Sequence, residues 1–364
     1  MEKNYKVTVI GAGDRGNTYM NMLQRFYKDE IVWDTVCDIL PDRLEKAYTQ
    51  FGFRNKTDKW ETAIMDSRPD IVIVATPAFY HCDIAMFAMR CGCHVLTEKP
   101  LDLSLAKCVA LDECQKQTGK VLGVGMQYRN TSGFRPIKHA IDRGLFGNNM
   151  MIQYIDIRET RPKIAMHDAA RGNGGPMVDM ACHLFDLMRW YYQCDPVRVS
   201  AQWRVNAINR SSLASIQTKA PDSCFMTIEY ENGSLGNIMM NWGLPKSVNG
   251  GLFSTITGSE GLINTYKVQG QQTADVITEG GEIVSVGVNP EDADDLIHAE
   301  RAVFKHFVEE IEGRGKAQCS IHEGMLTLAT SMAAIRSSAL GRPVTLKEIF
   351  EIRPTIAECM TAKE

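Results

Sequence analysis

Residues Gly11-Ala12-Gly13-Asp14-Arg15-Gly16 close the first strand-like run of the chain and open its first helix-like run. That placement limits what the chain can fold into more than any other feature. Lys6–Ile10 alternates Val and Ile with polar residues as a strand does, and Gly16–Phe26 has helical apolar spacing. A GxGxxG between two such runs fits a βαβ unit that receives a pyrophosphate. Gly11 permits the tight turn, Gly13 lets the backbone approach a phosphate, and Gly16 lets helix and strand pack closely. The helix N-terminus adds N–H groups without intrahelical partners and the positive end of a dipole. Asp14 and Arg15 complete the turn and count with it as candidate cofactor contacts. Asp38 ends the second strand, 22 residues after Gly16. A carboxylate there can accept from both ribose hydroxyls and repels the 2′-phosphate of NADP. NAD is therefore expected over NADP, with Arg43 near enough in the chain to offset part of the repulsion.

The first third continues in the same alternation. Strands are expected at Ile31–Asp38, Asp70–Ala75, His94–Thr97 and Val121–Gly125, and helices at Pro41–Phe51, His81–Arg90 and Leu103–Thr118. Repeated β-α units build a parallel sheet with right-handed crossovers, which is an α/β Rossmann domain over residues 1–126. Beyond it the pattern changes. Met151–Glu159, Val197–Val205, Cys224–Glu231, Leu235–Trp242 and Phe253–Thr257 read as strands joined by turns, Asn232-Gly233 being a hairpin signal. Helices are expected at Val178–Tyr191, Ala293–Glu312 and Glu323–Ser338. Residues 127–364 thus read as an α+β domain, an antiparallel sheet backed by helices, for substrate binding and oligomerisation.

Bulk properties exclude several classes of function. Net charge is −4 with both signs interspersed, so no basic stripe points to nucleic acid. No apolar run approaches the roughly 20 residues that span a bilayer, and the start of the chain lacks a basic segment followed by an apolar one. A cytoplasmic protein is expected. The eleven cysteines form no CxxC pair, Cys91-Gly92-Cys93 being the nearest approach, so free, mostly buried thiols and no metal site are expected.

A set of motifs in fixed order resembles the Gfo/Idh/MocA family, named for glucose-fructose oxidoreductase, inositol dehydrogenase and the rhizopine-catabolism protein. The set is the glycine turn, Val74-Ala75-Thr76-Pro77, His81, Glu98-Lys99-Pro100, and Gly174-Gly175 followed by Asp179 and His183. The resemblance runs over nearly the whole chain. It implies a large, mainly antiparallel sheet in the second domain, a nicotinamide cofactor, sugar or cyclitol substrates, and a homodimer or homotetramer assembled through that sheet. It implies that Lys99 is the catalytic lysine, His183 the catalytic base and Asp179 the acid that supports it. It also implies that Thr76, Pro77 and His81 lie along the cofactor, that Glu98 lies near the nicotinamide ribose, and that Lys99–Pro100 is a cis bond. Two segments depart from the family's pattern. Gln127-Tyr128-Arg129 stands where an Asn precedes an aromatic and an Arg, and Gly174-Gly175-Pro176 replaces a glycine triplet. Gln127 remains a candidate cofactor contact. Both departures bear on the substrate more than on fold or cofactor.

The residue types suit alcohol oxidation, in which a hydride leaves carbon and a proton leaves oxygen. Histidine has an unperturbed pKa of about 6.5, near working pH. Asp179 and His183 are four residues apart, on one face of a helix, so the acid can orient the ring and stabilise imidazolium. Lys99 follows a strand at its C-terminal end, where open α/β sheets hold ligands, and an ammonium there stabilises negative charge on the reacting oxygen. Asp186 and Arg189 read as packing or surface charges. The polar segment 161–175, with Lys163, His167 and Arg171, is long for a simple connection and borders the expected pocket. His167, Arg171, Tyr128 and Arg129 are candidate substrate contacts beside Lys99, Asp179 and His183. The expected activity is an NAD-dependent dehydrogenase that oxidises a secondary hydroxyl of a sugar, glycoside or inositol. Two alternatives remain: a glycoside-modifying enzyme that keeps and recycles its NAD, and a non-catalytic dinucleotide-binding regulator.

Overall fold

The computed structural model describes residues 4–161, 164–268, 271–287 and 296–363. The chain divides into two compact units. The first holds Met1–Asp102, Ala106–Gln127 and Asp295–Met325; the second holds Leu103–Leu105, Tyr128–Asp294 and Leu326–Glu364.

The first unit runs β1 (Tyr5–Ile10), α1 (Asp14–Phe26), β2 (Ile31–Cys37), α2 (Pro41–Phe51), β3 (Asn55–Thr57), α3 (Trp60–Met65), β4 (Ile71–Val74), α4 (His81–Arg90), β5 (His94–Thr97), α5 (Leu105–Thr118) and β6 (Leu122–Val124). Its six strands are all parallel, in the order β3-β2-β1-β4-β5-β6. β4 is Ile-Val-Ile-Val and buried throughout, as a strand covered on both faces must be. The strand order reverses between β1 and β4, and there the chain leaves both strands through Gly11 and Ala75. The Ala75 amide donates to Ile10 O at 2.8 Å. Such a reversal opens a crevice at the carboxyl ends of the strands, the usual ligand position of an open α/β sheet. The short strand β3 and helix α3 were not evident from the sequence.

The second unit adds α6 (Arg135–Asp142), β7 (Met151–Glu159), α7 (Ile164–His167), α8 (Pro176–Asp179), α9 (Ala181–Tyr192), β8 (Pro196–Arg204), β9 (Ser223–Tyr230), β10 (Leu235–Leu244), β11 (Gly251–Thr257), β12 (Leu262–Lys267), β13 (Thr273–Ile277), β14 (Ile283–Gly287) and β15 (Val344–Thr345). These nine strands form one sheet, ordered β14-β13-β12-β11-β7-β10-β9-β8-β15. It is antiparallel except where β10 runs parallel to β7, so the large, mainly antiparallel sheet is present. Strands β12 to β14 extend it beyond the sequence expectation. One face of the sheet carries the helix α9, ten of whose twelve residues are buried. A Cβ at Gly236 of β10 would lie 2.5 Å from Met188 Sδ of that helix. Tyr191 Oη and Tyr192 Oη donate to Phe134 O and Leu235 O, at 2.8 and 2.6 Å.

After β14 four helices follow among the described residues, α10 (Leu296–Ile311), α11 (Ile321–Leu340), α12 (Leu346–Ile352) and α13 (Ile356–Met360). Residues 293–295 of the expected helix lie outside the described residues. α10 belongs to the first unit: Val303, Phe304, Phe307 and Val308 share one buried cluster with Val7, Val9, Tyr19, Leu23 and Leu96. The division is therefore not a single cut near residue 126, because the chain returns to the first unit after the nine-stranded sheet. The reason lies in β6, where Gly123 leaves room for the Phe307 ring; a Cβ there would lie 3.0 Å from it.

Candidate active site

The glycine turn occupies the β1–β4 crevice. Gly11 has φ +96°, and a Cβ on it would lie 2.5 Å from Ala75 O. At Gly16 a Cβ would lie 1.8 Å from Gly11 O, so these two positions admit only glycine. Gly13 is different: a Cβ there would meet only Arg43 Nη1, at 3.4 Å. Its backbone faces an open cleft of about 440 Å³ lined also by Gly11, Asp38, Arg43, Thr76 and Pro77. α1 starts at this turn with no side-chain cap on Gly13, which leaves its first N–H groups for a phosphate. Asn17 Nδ2 braces the turn by donating to Ala12 O and Gly13 O, at 2.9 and 3.0 Å. These features fit a dinucleotide.

Asp38 is buried, and both its oxygens hold the loop: Oδ2 accepts from Ala12 N at 2.7 Å and Oδ1 from Leu40 N at 2.8 Å. Each carboxylate oxygen retains acceptor capacity for a ribose hydroxyl. The sequence reading missed the apolar mouth of this cleft. Ile39 is 79% exposed, Leu40 and Tyr80 are also exposed, and Trp60 lines the same space. A pair of apolar residues directly after a strand-ending Asp was the available signal.

Other first-unit candidates turn inward. His81 is buried, with Nδ1 2.9 Å from Pro100 O and Nε2 2.9 Å from Thr76 O. It ties the β4 turn to the cis Lys99–Pro100 bond, the bond geometry that the family resemblance implied. Burial pushes its pKa down, outweighing the two carbonyls and Glu98. Arg15 Nη2 donates to Glu98 Oε1 at 2.7 Å and to Glu300 Oε1, so its guanidinium is held by two carboxylates. Burial raises the Glu98 carboxyl, but Arg15 outweighs that and holds it below the ordinary range. Asp14 is exposed on the first turn of α1. Gln127 is buried and its Oε1 has no hydrogen-bond partner among the described residues, an acceptor free for a ligand.

In the second unit, Asp179 and His183 do not share one continuous helix. α8 ends at Asp179, Met180 has φ −104° and ψ −42°, and α9 begins at Ala181. Gly175, at φ +84°, delivers the chain into α8. Both side chains are buried. Asn173 Nδ2 donates to Asp179 Oδ1 at 2.9 Å. The Tyr128 ring lies face to face with the His183 ring, centroids 4.1 Å apart and planes 8° from parallel. The next residue is spent on structure: Arg129 Nε and Nη2 donate to Asp186 Oδ2 and Oδ1, at 2.8 and 2.5 Å, both side chains being buried. Asp186 therefore packs inside, while Arg189 pairs with Asp195 through Nε at 2.6 Å. His167 is buried, and its Nε2 has no hydrogen-bond partner among the described residues. Burial lowers its pKa against the pull of Asp222, the Arg161 backbone and Asp179. Arg171 is exposed after a turn in which Asp168 Oδ1 accepts from Ala170 N and Arg171 N. Lys163 lies outside the described residues.

Comparison with known proteins agrees with both units. Residues 5–126 match the model of an oxidoreductase family with an NAD-binding Rossmann fold, and residues 134–264 match the Gfo/Idh/MocA C-terminal domain. The chain belongs to the Gfo/Idh/MocA family. Among the relatives of this family member is a scyllo-inositol 2-dehydrogenase (NAD(+)) of Bacillus subtilis, 24% identical over 347 residues, or 95% of this chain and 97% of the relative. Another is a D-glucoside 3-dehydrogenase of Escherichia coli, 21% identical over 63% of this chain and 68% of its own length. Among solved structures, levoglucosan dehydrogenase in complex with NADH and levoglucosan superposes with a TM-score of 0.83 at 21% identity, covering 94% of this chain and 100% of that one. The first unit is thus an NAD-binding domain. Among the described residues, no helix is long and apolar enough to cross a membrane.

Proposed function

We propose that this Gfo/Idh/MocA protein is an NAD-dependent dehydrogenase that oxidises a secondary hydroxyl of a sugar, glycoside or inositol. The observation that carries this reading is the fixed imidazole of the second unit. Its ring plane is set by Tyr128 at 4.1 Å, beside a segment in which Asn173 holds the Asp179 carboxylate. Relatives that act on inositol and on a D-glucoside support the substrate class.

Bound NAD supplies the acceptor for the hydride that leaves the carbinol carbon. His183 takes the hydroxyl proton, and Asp179 balances the imidazolium that forms. The Lys99 ammonium hydrogen-bonds the reacting oxygen and stabilises the negative charge that it gains before the carbonyl closes. Gly11, Gly13 and the start of α1 take the pyrophosphate; Asp38, with Thr76 and Pro77 across the cleft, takes the adenosine ribose. His167 and Gln127, each with a buried unpartnered atom, hydrogen-bond ligands, Gln127 Oε1 as an acceptor.

A homo-oligomer through the nine-stranded sheet belongs to the same reading, supported by the exposure of Phe225 and Met151 on its strands, 63% and 53%. We place the protein in the cytoplasm, on its eleven free cysteines.

The test is a panel of sugars, glycosides and inositols with free NAD, followed at the absorbance band of reduced nicotinamide. Turnover of a member of the panel is expected. Lys99→Ala and His183→Ala should each lower that turnover by about 100-fold or more while NADH binding persists. Wild-type turnover in either variant removes that residue from the scheme, and no turnover on any member overturns the activity.

A further inference from the structure

We propose that Glu300 is a positioning residue for the Lys99 end of β5, acting through Arg15 and Glu98. It rests on the proposed role of Lys99 only for its effect on turnover.

Four groups meet where α10 crosses α1 and the end of β5. Glu300 comes from α10 and is fully buried. Arg15 Nη2 donates to Oε1 of Glu300 and, at 2.7 Å, to Oε1 of Glu98. The Arg15 guanidinium carbon lies 5.5 Å from the centre of the Tyr19 ring. The other oxygen of Glu98, Oε2, accepts the backbone N–H of Lys99 at 3.3 Å. A chain of contacts therefore runs from Glu300 through Arg15 and Glu98 to the main chain of Lys99. The cluster leaves no slack on the β6 side: a Cβ at Gly125 would lie 2.7 Å from Tyr19 Oη and 2.9 Å from Glu98 Oε1.

The excess of acid is the informative part. Arg15 and Glu98 alone would make a balanced pair, the carboxylate buried and the guanidinium partly exposed. A second carboxylate without solvent carries a desolvation penalty that one shared guanidinium does not repay. Glu300 Oε2 has no hydrogen-bond partner among the described residues, so the carboxylate joins the cluster through Oε1 and Arg15. Burial raises its pKa to about 7, with Glu98 adding to the rise and Arg15 opposing it. The charged and titratable groups that act on it are Arg15 and Tyr19 on α1 and Glu98 at the end of β5; β6 offers only Leu122, Gly123 and Val124. What Glu300 adds is geometric. It shares Nη2 of the guanidinium with Glu98, so Arg15 stays on both carboxylates and Glu98 stays against the Lys99 amide.

The test compares the wild type with Glu300→Ala and Glu300→Gln, each checked for a cooperative thermal transition. The Gln side chain keeps an oxygen for Arg15 without the charge. Hydrogen–deuterium exchange of peptides spanning residues 95–102 reads the Lys99 amide directly. In Glu300→Ala that amide should exchange about tenfold faster or more, and Glu300→Gln should restore its protection. On a substrate that turns over, Glu300→Ala should lower kcat about tenfold to a hundredfold, with KM and the NADH Kd within about twofold, and Glu300→Gln should recover most of it. Unchanged exchange in Glu300→Ala overturns the proposal, as does a folded Glu300→Gln that exchanges and turns over like the Ala variant. Faster exchange with no substrate in the panel sustains Glu300 and tells against the dehydrogenase reading instead.

Discussion

The two units hold out their binding groups in different materials. In the first, the groups offered to a ligand are mostly main chain: the Gly11–Gly16 turn and the uncapped start of α1. In the second the candidate groups are side chains around the break between α8 and α9, with Tyr128 stacked on His183 and Asn173 bonded to Asp179. A main-chain site needs glycine wherever another backbone comes too close, and 1.8 and 2.5 Å leave no other choice. A side-chain site needs only the right functional group at the end of some element. The first kind writes a fixed spacing into the sequence, and the second kind does not.

Two single ion pairs, one from each unit, differ in burial, and the largest effect we expect breaks on that contrast. In the second unit the Arg129–Asp186 pair is bidentate, with side chains 9% and 1% exposed. Removing Asp186 leaves a buried guanidinium without its carboxylate, which costs about 3–5 kcal/mol. In the first unit the Lys107–Asp83 pair at 2.6 Å is exposed to 39% and 44%, and such a pair contributes about 1 kcal/mol or less. Asp186→Ala should therefore lower the melting temperature strongly, and Asp83→Ala hardly at all. Paired thermal melts check this. Equal melts would show that Arg129 finds another acceptor and that the buried pair does not order the Tyr128 segment.

Much of the first unit was legible before any coordinates. The parallel sheet, its crevice and the role of Gly11 and Gly16 follow from a motif whose geometry allows few alternatives. Glu300 was invisible because it stands 285 residues from the Arg15 that it holds, with no spacing rule between them. The break between Asp179 and His183 was equally hidden, since Met180 is neither Pro nor Gly and the apolar period runs through it. Three strands were missed for another reason. β12 contains Asn264 and Thr265, the latter at φ +44°, and reads as a loop. β13 and β14 did carry a signal, two alternating runs around Gly280-Gly281, and would have been found by the hairpin rule.

A smaller effect sharpens the cofactor side. Asp38 fixes Ala12 and Leu40 in a loop that lines the cleft, and its proposed second job is to present negative charge to the ribose. Asp38→Ala should weaken NADH binding about tenfold, roughly 1.4 kcal/mol, and bring NADPH closer to NADH in affinity. Trp60 lines the cleft, so quenching of its fluorescence on titration reads both affinities. If NADH weakens while the preference between the two cofactors stays, Asp38 is a loop strut, and discrimination lies with Asp58 or Glu61, which also line the cleft.

The smallest effect tests whether the second unit works as a side-chain site at all. The Tyr128 face lies parallel to the His183 ring, and an aromatic face attracts an imidazolium more than a neutral imidazole. On the proposed scheme Tyr128 helps only once His183 has taken the proton, which is a kcat effect. Stacked aromatic pairs contribute about 0.5–1.5 kcal/mol, so Tyr128→Ala should lower kcat by about 2- to 13-fold with little change in KM. Tyr128→Phe keeps the stack and loses only the hydroxyl, whose contact is Met180 Sδ at 3.8 Å, and should stay within about twofold of wild type. The opposite split, with KM rising in both variants and kcat untouched, would make Tyr128 a substrate contact, as the sequence led us to expect, and one that acts through its hydroxyl. Tyr128→Phe decides between the two, because the stack is intact in it and the hydroxyl is not.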